Sequence, residues 1–227
     1  MGYRHHGVDT GGLPVNYIKR FLEKFHIPVF VETGTAGGES VREAAKLFNI
    51  CHTIELIEGR QGEDYPDNVK LYQGDSAKLL PIILDTHCNP KEYTLFWLDA
   101  HYSEPHESAP DTVECPLIDE IRAIRNHKKS IIMIDDARLF LAPPKWPCDY
   151  TRWPSFSSVF NTLQGCFNTH YITVVDDYII CVPDEMKDIV RYEWWENQDK
   201  RFPSEEQKKL NAIKIAWREA QNFLNNL

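Results

Sequence analysis

Short apolar runs that alternate with helical segments restrict the fold of this chain more than any other feature. Helical patterns at 39–48, 76–85 and 117–127 separate most of these runs. Near-continuous apolar strands between helices are typical of a parallel sheet that is covered by helices on both faces. The sequence therefore predicts an α/β domain. Its expected inner strands lie at 29–34, 52–56, 69–74, 94–99 and 130–135.

The last two apolar runs, 171–176 and 178–183, are separated by Asp177 alone. This pattern predicts an antiparallel hairpin. With it, the sheet is expected to have seven strands and to be mostly parallel. A further helix is predicted at 14–26, where apolar residues recur at helical spacing after Pro14.

The chain is expected to form one domain over 1–183, followed by a C-terminal helical extension over 184–227. An apolar stripe on this extension is predicted either to dock on the domain or to form a homodimer. The stripe consists of Leu210, Ile213, Trp217, Ala220, Leu224 and Leu227. The Pro- and Trp-rich segment 141–155 is longer than typical connections, and we expect it to act as a lid.

Composition restricts the class of protein. The 227 residues are 42% hydrophobic and 26% charged, as in a globular protein, and the net charge of -9 argues against nucleic acid as a partner. The six cysteines are scattered without a CxxC motif, which predicts free thiols in a reducing compartment. The N-terminus lacks a signal-peptide pattern, and no run approaches ~18 apolar residues. We therefore expect a cytoplasmic protein without a membrane partner.

Ligands of open parallel sheets bind outside the carboxyl ends of the strands, so the polar residues after each strand are the candidates for a site. A glycine-rich turn, "ETGTAGG", follows the first strand, and it allows a ligand to approach the backbone closely. It is not a full dinucleotide fingerprint, because Ala36 stands where the second glycine belongs. The candidate ligand-binding residues of this turn are Glu32, Thr33, Gly34, Thr35 and Gly38.

The ends of the second and third strands add three polar candidates. Glu55 lies about 20 residues after the glycine turn, where an acidic residue accepts hydrogen bonds from ribose hydroxyls. Asp75 and Ser76 follow the third strand. They are expected either to contact an adenine edge or to cap the next helix, and the two roles are compatible.

Three aspartates follow the fourth and fifth strands: Asp99, Asp135 and Asp136. Burying three carboxylates together is costly unless a positive group pairs with them. Arg138 is one candidate for that group. A divalent cation such as Mg²⁺ is the better one, since hard ions prefer carboxylate oxygens. Zinc is not expected, because neither an HxxxH motif nor a cysteine cluster is present.

Taken together, "VETGTAGG", the acidic end of the second strand, "GDS" and the acidic ends of the fourth and fifth strands resemble class I S-adenosylmethionine-dependent methyltransferases. The resemblance spans roughly residues 28 to 183 and implies a Rossmann-like sheet. Asp99 with the Asp135–Asp136 pair resembles the metal site of catechol-type and sugar O-methyltransferases. Macrocin-type and novobiocin-pathway sugar enzymes carry a base two positions after the first metal aspartate, which is His101 here.

This resemblance implies S-adenosylmethionine as the methyl donor, bound by the residues of the first three strand ends and by Asp99. It implies Mg²⁺, or alternatively Mn²⁺, on the three aspartates, where the ion would lower the pKa of an acceptor hydroxyl. His101 would then act as the general base, with Asp99 as the other catalytic residue. The alternative for His101 is a supporting role, in which it orients Asp99 or caps the strand.

The acceptor implied by the resemblance is a sugar hydroxyl of a glycan or glycoconjugate, and the alternative is a catechol-like or other small molecule. Tyr102, Trp146 and Trp153 are candidates to stack on a sugar, although aromatic residues in such loops more often serve packing. Arg138 either pairs with the aspartates or binds an acidic substrate.

Three other functions are less well supported. A Rossmann oxidoreductase needs a fuller glycine fingerprint and has no use for three clustered acids. A methyltransferase of nucleic-acid or protein nitrogens usually has an Asn/Asp-Pro-Pro-aromatic tetrapeptide after the fourth strand, where this chain has "DAHY". A non-catalytic binding module would not need donor-site and metal-site residues together.

Overall fold

The computed structural model describes residues 12–59, 64–101, 114–142, 149–196 and 204–214. Strands and helices alternate through most of this part of the chain. In chain order they are α1 (Val15–Lys24), β1 (Val29–Thr33), α2 (Glu39–Ala44), β2 (Ile50–Glu55), β3 (Val69–Gln73), α3 (Ser76–His87), β4 (Thr94–Leu98), α4 (Leu117–Ile124), β5 (Ser130–Ile134), α5 (Ala137–Leu141), α6 (Phe156–Cys166), β6 (His170–Val175), β7 (Tyr178–Pro183) and α7 (Lys187–Glu196).

The seven strands form one sheet in the order β3-β2-β1-β4-β5-β7-β6. Strands β1 to β5 are parallel, and β7 runs antiparallel to both β5 and β6. The predicted Rossmann-like sheet with its C-terminal hairpin is therefore confirmed. The strand order reverses between β1 and β4, and the crevice at such a switch point is where open α/β sheets bind ligands.

The sheet separates two apolar layers. On one face, Val31 and Phe96 pack with helices α3, α4 and α6. On the other face, Phe30 and Trp97 pack with α1, α2 and α7. Strands β1, β4 and β5 are buried along their whole length, which explains their near-continuous apolar sequences. Burial of each large side chain contributes roughly 1.5–3 kcal/mol, so this layering holds the strand ends in place.

Helices α5 and α6 were not predicted from the sequence, whereas α7 lies within the helical extension predicted over 184–227. Helix α6 begins after Ser155, whose hydroxyl accepts a hydrogen bond from the Ser158 amide. Helix α7 buries Ile189 and Val190 in the second layer, and its Glu193 pairs with Arg20 of α1 at 3.1 Å. The first part of the C-terminal extension thus packs on the domain.

The apolar stripe predicted for the extension is described only in part. Residues 205–214 are helical, and Leu210 and Ile213 are exposed. The other four members of the stripe lie outside the described residues, and the homodimer stays a prediction. Within the described part of the chain, none of the helices has the length and apolar character needed to cross a membrane.

Candidate active site

The glycine turn after β1 is packed against the end of β4. Gly34 has φ +83, and a Cβ atom there would lie 2.4 Å from the carbonyl oxygen of Asp99. Both the backbone conformation and the close approach require glycine. The sequence predicted that the glycines let a ligand approach the backbone, whereas Gly34 brings the turn against the protein's own Asp99.

The polar side chains of the turn form a buried chain of hydrogen bonds. The hydroxyls of Thr35 and Thr53 lie 2.7 Å apart, and Thr53 donates to the Glu32 carboxylate at 2.5 Å. The hydroxyl of Thr33, at the end of β1, is buried as well. Burial raises the pKa of Glu32 to about 8, and the nearby charges of Asp99 and Glu55 contribute to the rise.

Glu55 lies where the sequence predicted it, at the end of β2 and beside the glycine turn. One carboxylate oxygen accepts from the amide of Ala36 and the other from the amide of Ile57, each at 2.9 Å. The carboxylate therefore fixes the turn, in which Ala36 has the unusual φ of +43. Each oxygen retains a second lone pair for a ligand hydroxyl.

Glu39 was not predicted as a site residue. A Cβ atom at Gly37 would lie 2.6 Å from a carboxylate oxygen of Glu39, so this side chain folds back over the glycine turn. Glu39 and Glu55 therefore place negative charge at the turn, while the buried Glu32 carboxyl beside them, with its pKa raised to about 8, keeps its proton at neutral pH. Glu39 is the first residue of α2, and acidic residues are common there because they interact favourably with the helix dipole. Its place in the sequence therefore did not mark it as a site residue.

The two polar residues that follow β3 form hydrogen bonds within the protein. Asp75 caps α3 by accepting from the Ala77 amide, which is one of the two predicted roles. Ser76 donates to Glu120 at 2.5 Å. Glu120 is only 1% exposed, and burial raises its pKa to about 7 in spite of the Ser76 hydrogen bond. Glu120 lies three residues after Leu117, on the buried face of α4. This spacing indicates a buried acid, but the sequence-based prediction did not include it.

His101 bridges two of the predicted metal aspartates. Its Nδ1 lies 3.2 Å from Asp99, and its Nε2 lies 2.8 Å from Asp136. Burial opposes a charge on this ring, but the hydrogen bonds with Asp136 and Asp99 outweigh it and raise the pKa of His101 to about 10. The imidazole is thus held as a cation between two carboxylates. This placement matches the predicted supporting role, and it puts the ring in the acid form.

The remaining charges of the cluster are not balanced. Arg138 contacts Asp136 at 2.6 Å and also contacts Asp177, so it pairs with aspartates, as one of its two predicted roles required. Burial and the charges of Asp99 and Asp136 raise the pKa of Asp135 to about 8. Three carboxylates therefore face the positive charges of His101 and Arg138.

The cluster has the donor chemistry of a hard divalent cation. Carboxylate oxygens are the ligands that such ions prefer, and burial followed by the charges of Asp99 and Asp136 raises the pKa of Asp135. Within the described ranges, however, no three His, Cys, Asp or Glu side chains are arranged as a ready set of ligands. Both oxygens of Asp136 already face positive groups, one His101 and the other Arg138.

A small pocket lies beside His101 at the carboxyl ends of β4 and β5. It has room for about one water molecule, so an acceptor would have to widen it to enter. Polar groups from His101, Glu120 and Asp135 line it together with the apolar side chains of Leu117 and Phe140. The pocket thus combines an apolar wall with acidic groups at the carboxyl ends of β4 and β5.

Trp153 lies behind His101. It is 6% exposed, its ring meets the imidazole edge-on at 5.6 Å, and its indole N–H donates to Glu114 at 2.9 Å. Glu114 also accepts from the Asp149 amide. In this position Trp153 packs against His101 and offers little surface to a sugar. The other two aromatic candidates, Tyr102 and Trp146, lie outside the described residues.

No protein-family model and no curated protein sequence matches this chain. Several solved structures are similar to it in fold. Human methyltransferase-like protein 13, solved in complex with SAH, is 11% identical, with a TM-score of 0.48 over 84% of this chain and 91% of that protein. A putative caffeoyl-CoA O-methyltransferase from Staphylococcus aureus is 12% identical, with a TM-score of 0.49 over 74% of this chain and 80% of that protein.

A third similar structure is MycE methyltransferase from the mycinamycin biosynthetic pathway, solved with Mg, SAH and mycinamycin VI. It is 12% identical, with a TM-score of 0.42, and the similarity covers 74% of this chain and 45% of MycE. Similar structures also include an enzyme solved with NAD+. At these identities the similarity concerns the fold, and the ligand has to be argued from the side chains of the site.

Proposed function

We propose that this protein is an S-adenosylmethionine-dependent O-methyltransferase that methylates a sugar hydroxyl with the help of a divalent cation. The observation that carries the proposal is the acidic glycine turn. Glu32, Glu39 and Glu55 surround the place where an α/β sheet of this kind holds its nucleotide ligand.

The charge of the turn discriminates between two classes of nucleotide ligand. Dinucleotides place an anionic pyrophosphate on the glycine turn, where backbone amides receive it. Here the Glu39 carboxylate lies against Gly37 of the turn and would repel a phosphate. A donor with a sulfonium and an ammonium group carries positive charge and is attracted by the same carboxylates. The turn therefore favours S-adenosylmethionine.

The acceptor side of the site supports transfer to an oxygen. Methyl transfer from a sulfonium needs a nucleophile, and a hydroxyl must lose its proton to become a good one. Asp99, Asp135 and Asp136 would hold the cation, which when bound would polarise the acceptor hydroxyl and lower its pKa. His101 can accept the proton only after one ring nitrogen has been deprotonated, while Asp99 fixes the orientation of the ring.

A small aromatic acceptor is the second candidate. Leu117, Ile134 and Phe140 give the small pocket beside His101 an apolar wall, and either a catechol-like ring or one face of a sugar would have to widen the pocket to pack against it. Transfer assays with both classes of acceptor will separate the two. If the acceptor is a sugar, methyl transfer to a saccharide hydroxyl must be faster than transfer to a catechol.

The donor assignment is tested by calorimetry with S-adenosylmethionine and NAD+. We expect S-adenosylmethionine to bind and NAD+ not to bind, because of the negative charge around the turn. Glu39→Gln should weaken S-adenosylmethionine binding about 3- to 10-fold, which corresponds to the loss of one partly solvated charge pair. Glu43→Gln is the matched control, since Glu43 is on the same helix and pairs with Lys46 at the surface. Binding of NAD+ in preference to S-adenosylmethionine would refute the proposal.

The metal is tested by removal and return. Methyl transfer should stop in EDTA and resume with Mg²⁺ or Mn²⁺, because without the cation nothing would lower the pKa of the acceptor hydroxyl. The measurement is the rate of transfer to a fixed acceptor, with donor binding measured in parallel. Full activity in chelator would remove the cation from the mechanism and leave the donor assignment intact.

A further inference from the structure

Tyr65 belongs to a segment that is fixed against α2. The side chain amide of Asn68 donates to the carbonyl oxygens of Ala45 and Phe48, each at 3.0 Å. The Val69 amide donates to the Pro66 carbonyl at 2.9 Å as the chain enters β3. These bonds hold residues 65–68 beside the glycine turn and give the Tyr65 ring a defined position.

The hydroxyl of Tyr65 lies inside the glycine turn. Gly38 has φ +79, and a Cβ atom there would lie 2.5 Å from the Tyr65 hydroxyl. The hydroxyl oxygen is buried, yet it has no hydrogen-bond partner within the described part of the chain. Burying a hydroxyl without a partner costs free energy, so this group is in place for a partner that the protein itself does not supply.

The surroundings of Tyr65 keep its hydroxyl a hydrogen-bond donor. The guanidinium of Arg42 lies 4.6 Å from the ring centre and donates to the Gly37 carbonyl at 2.7 Å, so it holds the ring from outside. Burial raises the pKa of Tyr65, and the carboxylates of Glu32 and Glu39 add to the rise against the effect of Arg42. The phenol therefore keeps its proton.

We propose that Tyr65 is a donor-binding residue whose hydroxyl donates a hydrogen bond to the carboxylate of the amino-acid end of S-adenosylmethionine. This inference rests on the proposed function. The amino-acid end carries an ammonium group and a carboxylate group. The acidic turn attracts the ammonium but repels the carboxylate, which needs a neutral or positive donor to be held there. The unpartnered hydroxyl of Tyr65 supplies that donor.

The test removes one hydroxyl from the protein and one carboxylate from the ligand. Tyr65→Phe should weaken S-adenosylmethionine binding about 10- to 100-fold, the usual effect of one hydrogen bond to a charged group. Tyr65→Phe and the wild type should bind decarboxylated S-adenosylmethionine with equal affinity. The unliganded variant should melt at or above the wild-type temperature, because it no longer buries an unpartnered hydroxyl. Calorimetry and thermal melts measure these quantities.

Tyr93→Phe is the matched control. Its hydroxyl donates to Glu185 at the opposite end of β4, and its loss should leave both affinities unchanged. Equal affinity of Tyr65→Phe and wild type for S-adenosylmethionine overturns the role of Tyr65 alone. Equal weakening for both ligands overturns the carboxylate assignment, and tighter binding by the variant shows that Tyr65 obstructs the site. Failure of the wild type to bind S-adenosylmethionine overturns the proposed function and this inference with it.

Discussion

At the scale of single residues, His101 has the least ordinary environment. A histidine at the end of a strand is expected to titrate near neutrality, but here carboxylates contact both ring nitrogens. The positive charge of the ring therefore stabilises the carboxylates of Asp99 and Asp136, and its two hydrogen bonds also orient them. This dual role follows from geometry that only the folded chain creates, since Asp136 is 35 residues away along the sequence.

Replacement of His101 by alanine should make the protein depend on a divalent cation for stability. In EDTA the variant should lose on the order of 3 kcal/mol of unfolding free energy, because two partly buried carboxylates lose their positive partner. Mg²⁺ should raise the melting temperature of the variant more than that of the wild type. His26→Ala, at an exposed position, is the control. Identical responses of variant and wild type to Mg²⁺ would contradict a cation site at these aspartates.

At the scale of elements, the strand ends position the site. The turn after β1 can approach the end of β4 only because Gly34 has no side chain. This close contact between Gly34 and the Asp99 backbone also holds Asp99 in position. The sequence predicted the strands and this turn correctly, since buried parallel strands have an unmistakable composition. It did not predict helix α6, although Val159 and Leu163 follow the helical period after a good N-cap.

Gly34→Ala should disrupt the site much more than its backbone conformation alone explains. An alanine at positive φ costs about 1–2 kcal/mol, and at Gly34 the new methyl group also overlaps the Asp99 backbone. Gly59→Ala is the control, because Gly59 has a similar φ of +78 and a Cβ there meets no described atom within 4 Å. We expect Gly34→Ala to be several kcal/mol less stable than Gly59→Ala, or not to fold, as measured by chemical denaturation. Equal stability of the two variants would show that the turn can move away from β4.

At the scale of the whole molecule, the fold brings acidic side chains from distant parts of the chain together, and it buries Glu32, Glu55 and Glu120. The sequence showed the acidic strand ends, but it could not show that Glu120 and Glu39 join them. Glu120 resembles a surface residue until α4 is placed against α3, and Glu39 turns back only because Gly37 leaves room. Such contacts depend on how distant segments meet, and a single sequence carries no direct signal of that.

The buried acids predict how stability depends on pH. The pKa of Glu32 is raised to about 8 and that of Glu120 to about 7, so the folded chain keeps protons that the unfolded chain releases above about pH 4.5. Unfolding free energy should therefore fall as pH rises from about 5 to 8, by on the order of a few kcal/mol. Thermal melts of the unliganded protein across this range measure the effect.

Glu32→Gln should flatten this pH dependence, because glutamine stays neutral at every pH in the range. Saturating S-adenosylmethionine should also reduce it, since a cationic ligand favours the ionised carboxylate. A wild-type protein that gains stability between pH 5 and 8 would contradict the buried, protonated state of these glutamates.

The tip of the hairpin between β6 and β7 has a consequence for how the chain can be altered. Tight turns at the edge of a sheet are usually the places where insertions and new termini are tolerated. Here the carbonyl of Asp177 accepts from the Ala137 amide, and its carboxylate accepts from the Arg138 amide next to the aspartate cluster. This loop at the outer edge of the sheet thereby supports the aspartate cluster after β5, the strand that precedes the hairpin, so changes to the loop should also change the candidate active site.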